Sequence, residues 1–373
     1  MEEQRFKQKE PEPKLHDYTW NEDRFIRWDN QKKLMEKAPR VRRFEEIPWE
    51  QVHQAKHKVY TGAQLPDLPL KLAKAPITTM SARVQVLPPG GKSGNHRHFT
   101  EALFYILEGK GHEVHDGKSY DWEAGDLMCV PSYCIHQHFA HEDAGSYIFY
   151  VAADVCHYMG IGNIEQMELN PNFKMPSGAE PLKDSGGHLI GYKRKDGVEI
   201  RMQDYAVSKE TMEQKRAILS PPEKRETTYD EYLQLYWEEN QWRQTCPHVV
   251  KVKDLPWENT RRGRIKYIVH PKISTGLRTL DCFMQELPPG GWSGKIRQVS
   301  EEVLFIVDGQ GYSVIDGVRW DWGKNDVVCI PHLTSQQHFN RDPRRPALFI
   351  SVKTRLAHYI GHGGIEHLED ASS

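Results

Sequence analysis

Residues 87–139 read LPPGGKSGNHRHFTEALFYILEGKGHEVHDGKSYDWEAGDLMCVPSYCIHQHF, and residues 287–339 read LPPGGWSGKIRQVSEEVLFIVDGQGYSVIDGVRWDWGKNDVVCIPHLTSQQHF. The offset is 200 residues throughout, from Leu87 to Leu287, and neither copy needs a gap. It carries Gly109 onto Gly309, Asp116-Gly117 onto Asp316-Gly317, Trp122 onto Trp322 and Pro131 onto Pro331. The match runs outward too, with the IPWE at Ile47 echoed by the LPWE at Leu255, and His157-Tyr158 by His358-Tyr359. Self-similarity of this length is an internal duplication, so the chain is read as one domain used twice.

Within each copy the pattern is of short strands punctuated by turn residues. ALFYILEG and VLFIVDG are runs of β-branched and aromatic residues closed by glycine, HDG and IDG are hairpin turns, and GDLMCVP and NDVVCIP are further strands. Many short, evenly spaced strands predict an all-β-dominated, closed or double-sheet architecture. Helical periodicity is confined to about Asn21–Lys37 and Thr228–Trp242. The chain then divides into an N-terminal tail and helix (1–39), a first barrel (40–169), a partly helical connection (170–246) and a second barrel (247–373).

A length of 373 residues fits two domains. The 50 Lys and Arg balance 52 Asp and Glu, which argues against a nucleic-acid partner or a charged membrane surface. No apolar run reaches bilayer-spanning length, and the Lys-, Glu- and Pro-rich N-terminus lacks a secretory pattern. Six scattered cysteines without CxxC spacing read as reduced core thiols, and the expected location is cytoplasmic.

The chemistry emerges from 19 histidines and their placement. The first copy holds two HxH pairs, His96-Arg97-His98 and His136-Gln137-His138. On a strand, residues two apart share a face, so each pair aims two imidazoles into one interior. Neutral imidazoles from two strands suit a divalent iron, manganese, nickel or zinc ion and leave positions open for substrate.

GKSGNHRHFTEALFYILEG and GDLMCVPSYCIH together resemble the two motifs of the cupin superfamily, and the resemblance runs from about Arg40 to Glu366. It implies tandem double-stranded β-helix (jelly-roll) barrels with flanking helices, a bicupin, in which His96, His98 and His136 hold the metal. Two departures from the family pattern are informative. The usual glutamate ligand falls on Ala102, and Glu101 points to the opposite strand face, where it reads as a solvated residue. A three-histidine site without the glutamate is similar to gentisate and salicylate 1,2-dioxygenases, which implies Fe(II), O₂ and a hydroxylated aromatic substrate. The arginine those enzymes use for the substrate carboxylate falls on Phe104, which faces inward by strand parity. The expected substrate is then a hydroxylated ring without that carboxylate, or one held differently by a basic residue such as Arg83 or Lys71, and Arg83, Gln85 and Phe104 are the expected substrate pocket.

The second copy acts as a control: Ile296, Gln298 and Gln336 stand where the three ligands should be, so no metal is expected there. Glu302 takes the glutamate position without ligands beside it. His138 is expected to touch substrate or O₂ as the catalytic residue, although its twin His338 survives in the copy without ligands. Twins such as Arg97/Arg297, Gln85/Gln285, Trp122/Trp322 and His157/His358 read as scaffold. The expected assembly is a homodimer or homotetramer. The alternatives are a non-oxidative metal cupin (decarboxylase, lyase or isomerase) and a non-catalytic binding protein.

Overall fold

A computed structural model describes residues 33, 36–52, 54–62, 76–158, 164–187, 189–201, 227–270 and 277–372. Most of the N-terminal helix, Lys71 and the His157 side chain lie outside these residues. The rest forms two β-barrels, each a seven-stranded sheet wrapped on a five-stranded one. Among the described residues every strand pairing is antiparallel, as hairpin-connected strands require.

The Asp-Gly turns behave as read. Asp116 and Gly117 sit at φ 45° and 84°, and Asp316 and Gly317 at 47° and 79°, the left-handed pair that a tight hairpin needs. Gly109 cannot be replaced either, because a Cβ there would lie 2.0 Å from the Gly145 carbonyl oxygen.

The run Ala102–Glu108 is apolar on both faces because both are covered. Ala102, Phe104 and Ile106 fill the first barrel, while Leu103 and Tyr105 join a second core with Phe149, Phe305 and Val303. That core lies between the barrels, where Phe149 stacks on Phe305 with ring centroids 4.4 Å apart.

The halves also exchange strands. Val41–Arg42 pairs with Val327–Val328 in the second barrel's sheet, and Val249–Val250 pairs with Leu127–Met128 in the first's. Glu101 and Glu301 complete the seam, which corrects the reading of Glu101 as solvated. Glu101 is buried and accepts hydrogen bonds from the Arg278 and Thr279 amides and the Thr279 hydroxyl. Glu301 accepts from the amides and the hydroxyls of both Thr78 and Thr79, and His332 lies 3.8 Å away. The side chain does leave the barrel interior, as its parity demands, but that outer face is covered by the other barrel.

In the connection, the helix Thr228–Thr245 extends the expected one by three residues. It begins at Thr227, whose hydroxyl accepts from the Asp230 amide at 3.2 Å. A small three-stranded sheet between Glu180 and Arg201 precedes it and has no signature in the sequence reading. Among the described residues, no helix is long and apolar enough to cross a membrane.

Candidate metal centre

His96 and His98 lie on the strand Asn95–His98, and His136 opens the strand His136–Ala140. The two strands pair with His136 directly opposite His96. The ligand atoms of His96, His98 and His136 fall within 4.8 Å of one another, and all three residues are buried.

The backbone fixes each ring. The Nδ1–H groups of His96, His98 and His136 donate to the carbonyls of Gly94 (3.1 Å), Thr100 (2.6 Å) and Cys134 (3.0 Å). That leaves each Nε2 lone pair free for a metal, the arrangement that outer hydrogen bonds impose on ligating histidines. His136 Nε2 has no hydrogen-bond partner although it is buried. An orphaned acceptor among two others is costly without a ligand, and a divalent cation satisfies all three. Burial, helped by neighbouring histidines, pushes His96 and His136 well below the usual imidazole range and burial takes His98 down to about 4. The donors are therefore neutral at pH 7, as ligation requires.

The loop before His136 places Tyr133 at φ 62°, with its amide donating to the His98 carbonyl at 2.7 Å. Leu333 repeats this with φ 60° and a bond to Gln298, so the device belongs to the barrel frame rather than to metal binding. Arg97 is buried against Glu165, whereas its twin Arg297 is half-exposed and pairs with Glu366. Trp122 and Trp322 are both buried, and Gly111 and Gly311 leave room for their rings.

A cavity of about 60 Å³ opens onto the histidines. Its lining brings together His96, His98, His138, Phe104, Gln85 and Arg83. Phe104 packs on the Tyr150 ring at 4.9 Å and on His138 at 4.6 Å. Arg83 donates to the Tyr150 hydroxyl at 3.0 Å, while its Nε is buried with no partner. Gln85 Oε1 lies 3.3 Å from His57 Nε2, and its amide nitrogen is unpartnered.

Behind His138 runs a buried chain that the sequence reading missed. Glu113 accepts from His138 Nδ1 at 2.9 Å and from His115 Nε2 at 2.6 Å, and His115 Nδ1 lies 2.5 Å from His248 Nδ1. Burial alone would raise the Glu113 carboxyl, but the two histidines outweigh it and hold it below the usual range. With Nδ1 committed, His138 keeps Nε2 for the cavity. The signal was available: the twins of Glu113 and His115 are Ser313 and Ile315, the same loss that singled out the ligands.

In the second barrel, Ile296, Gln298 and Gln336 surround a salt bridge. Glu302 accepts from Arg262 (2.5 Å), Gln298 (2.7 Å), Gln336 (2.7 Å) and Ser351. A guanidinium–carboxylate pair thus fills the space that the imidazoles leave open in the first barrel. No three-ligand cluster occurs there among the described residues.

Residues 83–155 match the cupin domain family. The oxalate decarboxylase of Bacillus subtilis superposes with a TM-score of 0.54 at 13% identity, covering 89% of this chain and 80% of that one, a likeness of fold. The chain thus carries a cupin domain in its first half and has a two-barrel, bicupin-like fold. Among curated proteins it is 23% identical over 282 residues to a 5-aminosalicylate 1,2-dioxygenase of Comamonas sp, covering 74% of this chain and 66% of that one. It is also 23% identical over 280 residues to a 1-hydroxy-2-naphthoate 1,2-dioxygenase of Nocardioides sp. (strain KP7), covering 74% and 62%. The chain thus spans just under two thirds of the length of these relatives.

Proposed function

We propose that the first barrel is the centre of an Fe(II)-dependent dioxygenase that opens the ring of a hydroxylated aromatic acid. The observation that carries this is a buried set of three neutral imidazoles with no carboxylate, facing an arginine whose Nε lacks a partner. The relatives named as salicylate- and naphthoate-type dioxygenases support the reaction class. Neutral ligands leave a divalent ion its full charge, which favours a chelating anionic substrate. Iron bound by His96, His98 and His136 would supply electron transfer between a coordinated aromatic and dioxygen.

The protein's own part is to bind and orient. Arg83, already anchored to Tyr150, presents Nε to the substrate's acidic group from a different strand than Phe104. Phe104 and Tyr150 form an apolar wall for the ring. His138, with Nδ1 held by Glu113, offers Nε2 to a phenolic proton.

The test is O₂ uptake by anaerobically purified, iron-loaded protein against salicylate, gentisate, hydroxynaphthoates, catechols and hydroquinones. Stoichiometric uptake with a new ring-opened chromophore supports the proposal. No uptake from protein holding one metal per chain would overturn it in favour of non-oxidative cupin chemistry. Arg83→Gln should raise KM for a carboxylated substrate by about tenfold or more and leave hydroquinone turnover nearly unchanged.

A further inference from the structure

We propose that the mouth of the second barrel is a separate binding site for a small organic monocarboxylate with an apolar body. A cavity of about 820 Å³ opens there, far larger than the one over the histidines. Its lining includes Arg262, Lys353, Arg355 and Asp281, with Tyr267 and Phe283 as aromatic walls.

Charge and burial together carry the inference. Lys353 and Arg355 both face Asp281, at 3.7 Å and 3.4 Å, and Arg262 faces Glu302. Three cations therefore meet two carboxylates, and none of the five side chains is more than 20% exposed. In direct ion pairs among the described residues, the cations of these five side chains exceed the carboxylates by one at an open mouth, an arrangement that favours an added anion.

The first barrel shows that the fold does not demand this. There the matching backbone positions hold Gln54, Ala152 and Asp154: Ala152 pairs with Ser81 as Lys353 pairs with Asp281. Gln54 likewise bonds Gly94 as Arg262 bonds Gly294. The mouth of the second barrel has acquired cations where the first has neutral or acidic groups.

The walls specify the rest of the ligand. The Arg262 guanidinium lies 4.6 Å over the Phe283 ring, and Tyr267 sits 5.9 Å from Phe283. Gln298, 3% exposed, lines the same cavity with its Oε1 unpartnered, ready to accept from a hydroxyl. A carboxylate at Lys353 and Arg355 would lay its apolar body against these rings. A surplus of one charge favours a monoanion over phosphate.

The test is calorimetric titration of the metal-loaded full chain with benzoate, its neutral isostere benzamide, and inorganic phosphate. Benzoate should bind, benzamide should not, and phosphate should bind more weakly than benzoate. Arg355→Gln and Lys353→Gln should each weaken one benzoate-binding event by about tenfold or more, in the wild-type chain and in an Arg83→Gln background alike, since Arg83 serves only the metal cavity. Lys353→Ala, which installs the first barrel's own residue, keeps the test readable should Arg355→Gln fail to fold. Loss of benzoate binding in Arg83→Gln with the Lys353 variants unaffected would assign it to the metal cavity and overturn the proposal. Equal binding of benzamide, tighter binding of phosphate, or no binding up to about 10 mM would also overturn it.

Discussion

The two barrels share one frame and fill it differently. Both use an Asp-Gly hairpin, a left-handed residue before the second ligand position, and a tryptophan packed on a glycine. At the centre, the first holds three neutral imidazoles with an orphaned Nε2, and the second holds an Arg262–Glu302 pair satisfied from four sides. The frame is thus independent of the metal. Where the first barrel gathers three imidazoles, the second closes around a guanidinium of the protein's own.

That contrast yields its strongest test by grafting. Placing histidines at 296, 298 and 336 alone should create no second metal site, because Arg262 and Glu302 still occupy the space. Adding Arg262→Gln and Glu302→Ala, the first barrel's residues, should raise metal content from one to two ions per chain by elemental analysis. Next in size, Glu302→Ala strands Arg262 and should cost about 3–5 kcal/mol in urea unfolding; a near-neutral result would show that the pair is not what holds the second barrel closed.

The third test uses pH. His98 is buried neutral, with its folded pKa at about 4 against about 6.5 unfolded. The unfolded chain therefore binds the proton first, and stability of the metal-free protein falls as pH drops from about 6.5 to about 4. His98→Gln, the second barrel's residue, should remove about 3 kcal/mol of that decline. An unchanged profile in this variant would mean that His98 is not held neutral by burial. The smallest effects belong to the seam: Glu101→Ala and Glu301→Ala each strand buried amides and should cost about 1–3 kcal/mol. Glu301→Ala, which also loses the Thr78 hydroxyl and His332, should cost the more of the two; a negligible cost in either variant would mean that these carboxylates do not hold the barrel contact.

The barrels and the three-histidine cluster were legible because duplication makes each copy a control for the other. Gly109, Asp116 and Trp122 recur and mark the frame, whereas His96, His98 and His136 do not recur and mark the chemistry. Phe104 was placed by parity alone, since its strand alternates between the barrel interior and the inter-barrel core. Glu101 misled because parity tells which face a side chain takes, not what covers that face. His248 and the Val41–Arg42 exchange were illegible for a related reason: both come from segments far along the chain, and local spacing carries no trace of them. Arg262 lies outside the ungapped repeat, so its pairing with Glu302 appears only in three dimensions.

The central claim is that one barrel binds metal and the other does not. Elemental analysis of reconstituted wild type, His136→Ala and Gln336→Ala tests it most directly. The account predicts one ion per chain in wild type and Gln336→Ala, and none in His136→Ala. Metal retained in His136→Ala, or lost equally from both variants, would contradict it.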